Sequence, residues 1–181
     1  MDQADPVAEF TSPENGAFKE GYRPNTEHAA LELHRLLAIF LASPSFAKLR
    51  KGNGESWEAI DHLQQFEDDE ITRILLSAAV TARVLDDRED GVFGQIAGDC
   101  GILSEAKGGE ITKVPLTLRE ACNKIIHAKK IRFDVSETDE RQPYLNPTIY
   151  LYGTRSNGLE WKATLDVIKF AEEYVSVVCR L

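Results

Sequence analysis

Apolar positions recur at steps of three and four over most of this chain and switch to alternation in one short region, and that change of period separates its elements. Ala30, Leu33, Leu37 and Phe40, broadened by Ala29, Leu36 and Leu41, predict a central helix of about four turns, capped by Asn25 or Thr26. Ser43-Pro44 reads as a restart into a short basic helix that ends at the Lys51-Gly52-Asn53-Gly54 loop. Trp57, Ile60 and Leu63 place another short helix over Glu55 to Phe66. Ile71, Ile74, Leu75, Ala78, Ala82 and Leu85 then hold helical spacing through a long helix that opens on Glu67, Asp68, Asp69 and Glu70, acids suited to the positive end of its dipole. The glycine-bearing stretch from Gly91 to Gly109 predicts one short helix and then a flexible loop.

Thr117 and Glu120 form T-x-x-E, a capping box that starts a further helix at Leu118. Helical spacing gathers Leu118, Ala121, Cys122 and Ile125 into an apolar stripe and sets Arg119, Asn123 and His127 in a polar ladder beside it. Beyond His127, Ile131, Phe133 and Val135 alternate, as do Ile149, Leu151 and Gly153 against Tyr150 and Tyr152. These predict two strands, joined by a polar loop from Asp139 to Pro147. Asn157-Gly158 supplies the positive φ that a hairpin turn needs, and Leu159 to Lys162 follows as a third strand or a helix entry, with Trp161 covering one face. From Lys162 onward, Leu165, Ile168, Ala171, Val175 and Val178 predict a wide apolar helix. The expected fold is mainly α, a helical bundle with a small antiparallel β-sheet inserted before the C-terminal helix.

The 181 residues, 43% of them hydrophobic, suffice for one well-buried core and are too few for two large domains. Residues 1–24, with Pro6, Pro13, Pro24, Gly16 and Gly21, predict a flexible N-terminal arm whose Phe10, Phe18 and Tyr22 are points for docking, and 25–181 a single domain. The net charge of −9 opposes general electrostatic binding to nucleic acid. Between Arg119 and Arg132, however, Arg119, Lys124, Lys129, Lys130 and Arg132 face one acid, Glu120, so the polar ladder lies in a locally basic stretch.

Cys100, Cys122 and Cys179 are odd in number and widely spaced, which suggests neither a disulfide framework nor a cysteine-built zinc site. The acidic start lacks the features of a secretion signal, and the apolar run from Ala29 to Ala42 is short and interrupted by charge, so a cytoplasmic protein without a membrane partner is expected. The acids at Glu67 to Glu70 and at Asp86 to Asp90 read as solvated charges, since neither run is spaced to wrap an ion. No phosphate-binding glycine pattern occurs, and no metal or cofactor is expected.

Histidine changes charge near neutral pH, and an arginine with an amide beside it can hold an anion or orient the ring, so the ladder suits proton transfer next to a phosphate. The alternative is a solvated Arg119 and Asn123, with His127 simply complementing the helix dipole alongside Lys129 and Lys130. The run from Cys122 to His127 resembles the R-[polar]-x-x-x-H signature of the HEPN superfamily, helical proteins that include ribonuclease toxins and phage-defence effectors. Asn123 and His127 match it, Cys122 stands at the arginine position, and Arg119 lies one turn earlier. The resemblance implies metal-independent RNA cleavage: His127 transfers the proton, Asn123 and Arg119 assist, and Lys124, Lys129, Lys130 and Arg132 bind the RNA. It also implies a homodimer that pairs two motifs. The second reading is a non-catalytic HEPN-like module that binds a protein or nucleotide partner through the same groove.

Overall fold

Asn25 starts the first helix, its side-chain oxygen accepting the backbone N–H of His28 at 3.0 Å, and α1 runs over Thr26–Leu49. The computed structural model describes residues 24–49, 62, 64–88, 91, 93, 98–107, 110–138 and 141–179. The expected arm, apart from Pro24, lies outside these residues, as do the Lys51 to Gly54 loop and most of the expected helix from Glu55 to Phe66. Along α1, Ala29, Leu33, Leu36, Phe40 and Ala47 are buried at helical spacing. Pro44 does not restart the helix. A proline there loses a backbone bond, but burial of Ser43 and Ala47 and a hydrogen bond from the Leu145 N–H to Ser43 Oγ hold the helix on either side of it. By length and composition α1 could cross a membrane, its mean hydropathy being 1.2, although the apolar run within it is shorter.

The second helix, α2 (Glu67–Arg88), has the four expected acids in its first turn and buries Ile71, Ile74, Leu75, Ala78, Ala82 and Leu85. Arg73 on α2 donates to Glu32 on α1 at 2.6 Å, fastening the two together. Next come β1 (Asp99–Lys107), β2 (Glu110–Thr117), α3 (Leu118–His127), β3 (Lys130–Thr138), β4 (Arg141–Thr154), β5 (Glu160–Asp166) and α4 (Val167–Val177). The strands form one antiparallel sheet in the order β2-β1-β5-β4-β3, and α3 carries the chain from one edge of it to the other. Leu103, Ile149, Leu151, Trp161, Ala163 and Leu165 are buried from the sheet beneath the helices. Tyr174 of α4 is buried among them and donates its hydroxyl proton to the Ala78 carbonyl of α2.

The fold is therefore mixed α/β, with a five-stranded antiparallel sheet among the described residues, and not mainly a helical bundle. Strand β1 stands where one short helix and a loop were expected, and β2 follows it over residues for which no element was expected. In β1 the pairing register shifts between Asp99 and Ile102, so buried Cys100 and Leu103 are three apart and the alternating signal is lost. An added Cβ at Gly101, whose φ is +145°, would lie 2.0 Å from the Thr164 carbonyl oxygen, so the irregularity requires glycine. In β2 only Leu116 is buried, since this edge strand is exposed on both faces and has no apolar period to read. The expected loop at Asp139 to Pro147 is largely β4, and α4 begins only at Val167, where Asp166 Oδ1 accepts the N–H groups of Ile168 and Lys169, both at 3.1 Å.

Candidate functional site

Helix α3 starts as expected: Thr117 accepts the Glu120 N–H at 3.4 Å. The Glu120 carboxylate turns along the helix rather than back to the cap, accepting from Lys124 Nζ at 3.0 Å and from Asn123 at 3.4 Å. Lys124 is only 6% exposed, and its ammonium also sits 4.5 Å from the centroid of the Trp161 ring. Burial alone would raise the Glu120 pKa. Hydrogen bonds from Lys124 and Asn123, together with the charges of Lys124 and Arg155, outweigh burial and hold it below the usual carboxylate value.

These groups line a depression of about 670 Å³ bounded by Glu120, Asn123, Lys124, His127, Lys129, Thr154, Arg155, Ser156 and Trp161. His127 is exposed at its rim, and Lys129 donates to Thr154 Oγ1 at 3.2 Å. Arg155 leans on Glu105 and lies 3.9 Å from Glu120. The hairpin turn sets its position: the Arg155 N–H bonds to the Leu159 carbonyl and the Gly158 N–H to the Arg155 carbonyl, with Gly158 at φ +82°.

Four of the seven residues singled out from sequence thus meet: Asn123, Lys124, His127 and Lys129. Arg119 does not join them. Its guanidinium contacts Asp86 and lies 3.6 Å from Asp87, and Asp86 also takes Arg83 at 3.1 Å and accepts the Phe93 N–H at 2.9 Å. Asp86 is 0% exposed, so the reading of that acidic run as solvated fails at its first residue, and this buried carboxylate draws Arg119 toward α2. Cys122, at the position of the signature's arginine, is wholly buried, and burial pushes its thiol pKa far up. Lys130 and Arg132 lie instead on the sheet, where Arg132 stands over the Tyr150 ring.

Thr154, Arg155 and Trp161 were not foreseen, because only the β4–β5 hairpin brings them to α3. The spacing of Glu120 to Lys124 was a legible sign of an ion pair. Among the described residues no group of three His, Cys, Asp or Glu side chains could hold a metal ion. Compared with known proteins, the chain matches no family model, no curated protein and no solved structure.

Proposed function

We propose that the depression binds a nucleotide through its phosphate and that the chain acts as a non-catalytic recognition module. The observation that carries this reading is Lys124, a buried ammonium fixed between Glu120 and Trp161, with Asn123, His127, Lys129 and Arg155 around it. Phosphate oxygens meet donors on several sides there, and Trp161 offers an aromatic body nearby. A ribonuclease of the kind implied by the HEPN resemblance needs an unengaged cation for the phosphorane and proton-transfer groups tuned near neutrality. Arg119, the guanidinium that reading relies on, is held by Asp86 away from the depression, and the lowered pKa of Glu120 makes it a weak proton acceptor.

Calorimetric titration with a nucleoside monophosphate, in EDTA, tests the reading. Lys129→Glu should weaken binding about tenfold or more, because a charge-assisted donor becomes a repelling carboxylate. Equal affinity in wild type and this variant would place the ligand elsewhere.

A further inference from the structure

Alternation leaves one face of the sheet turned away from the helices, and aromatic and cationic side chains are interleaved on it. Tyr150 and Tyr152 stand two apart on β4, so both rise from the same side. Across β3, Arg132 pairs with Tyr150 and Lys130 with Tyr152, the Arg132 guanidinium lying 4.8 Å from the Tyr150 centroid. From β5, Lys162 sets its ammonium 4.4 Å from the Tyr150 centroid and 5.9 Å from that of Tyr152. Ser104 pairs with both Lys162 and Lys113, which puts Lys113 on the same side across β1 and β2.

We propose that this face binds single-stranded nucleic acid, with bases stacked on Tyr150 and Tyr152 and phosphates held by Lys113, Lys130, Arg132 and Lys162. Charge complementarity selects this occupant. Arg73, Arg83, Arg119, Lys124 and Arg155 each rest on a carboxylate, and Arg35, Lys48, Lys129 and Lys169 stand apart from one at scattered places, whereas this face gathers four cations with no carboxylate among the described residues within ion-pair distance of them. Among the described residues three acids share the face, and two are engaged: Asp134 accepts from the Tyr150 hydroxyl and from Asn146, and Asp166 caps α4. Glu160 stands toward the turn end of β5, past Lys162. A second copy laid face to face would set Lys162, on the central strand, near cations of its mate. A duplex keeps its bases stacked inside and cannot use the tyrosines, while a single strand can place bases on the rings and its backbone along the cations. The lysine and arginine over the rings are long side chains at a solvated surface, able to swing from ring to phosphate as a base arrives.

This goes beyond the nucleotide depression and does not depend on it, since none of the six residues named for the face lines that depression. The test is fluorescence anisotropy of the full chain with a labelled single strand of about 12 nucleotides, a length within the usual range for one such domain. Wild type should bind the single strand more tightly than a duplex of the same sequence. Tyr150→Ala with Tyr152→Ala should weaken binding at least about tenfold, while the two Tyr→Phe changes, which keep the rings, should stay within about twofold. Arg132→Gln should lower the dependence of log affinity on log salt by about 0.7. Lys129→Glu should leave the single-strand preference intact even if it abolishes nucleotide binding. Equal affinity for single strand and duplex, no response to the double alanine change, absence of binding at low salt, or self-association broken by Lys162→Glu would each overturn the proposal.

Discussion

Asp86 illustrates how one side chain redirects a site. A carboxylate with no exposure needs cations and donors, and it takes Arg83, Arg119 and the Phe93 N–H, so the guanidinium that helical spacing aligned with Asn123 and His127 reaches α2 instead. Asp86→Ala should therefore destabilise the protein by about 3–5 kcal/mol, since it leaves buried donors without an acceptor. Urea unfolding of the variant checks this, and a loss below about 1 kcal/mol would mean that the cluster is solvated after all. Sequence periodicity found the neighbours along α3, because residues three and four apart share a face in any helix. It had no means of weighing a buried acid one helix away, and so it could not tell which rung of the ladder would be drawn off.

Elements were legible where burial is one-sided and regular. Helix α1 up to Ser43, helix α2, the start of α3, strand β3 and the positive φ of Gly158 all lay in the residue pattern, while Pro44 imitated a break in α1. Strand β1 was hidden by its irregular register and β2 by its exposure on both faces, while the prolines of β4 imitated a loop. Two of the three positive-φ glycines among the described residues, Gly101 and Gly158, separate cleanly in consequence. Gly158→Ala meets nothing within 4 Å and should cost only the left-handed backbone term, about 1 kcal/mol, whereas Gly101→Ala collides with the Thr164 carbonyl and should cost several times more. Thermal unfolding of both variants tests the contrast, and equal losses would contradict the tight β1–β5 approach. The α1–α2 contact is open to a pH test. Burial by itself raises the Glu32 pKa, but hydrogen bonds from Arg73 and Ser77 and the charges of Arg73 and His28 leave it lowered. A depressed carboxyl stabilises above its unfolded value of about 4.3, and that contribution disappears as pH falls through the folded pKa. The stability gap between wild type and Glu32→Gln should accordingly shrink on going from about pH 6 to about pH 3 in urea titrations. A gap that stays constant would show that Glu32 carries no linked proton.

At the scale of the whole molecule, the net charge of −9 conceals a basic side divided between two places. Lys124 and Lys129 enter the depression beside α3, and Lys130 and Arg132 pass to the outer face of the sheet. The basic stretch was plain in the sequence. Its division was not drawn there: the end of the helix at His127 and the alternation after it were legible, but which face of the sheet the helices cover, and so that Lys130 and Arg132 stand on the other, comes only from the packing. Recognition without cleavage is tested by incubating the purified chain with end-labelled RNA in EDTA and scoring retention and 2′,3′-cyclic phosphate ends on the same sample. The RNA should be retained and intact. Cyclic phosphate ends that appear with wild type and vanish with His127→Ala would contradict it and establish His127 as the proton-transfer group of a ribonuclease.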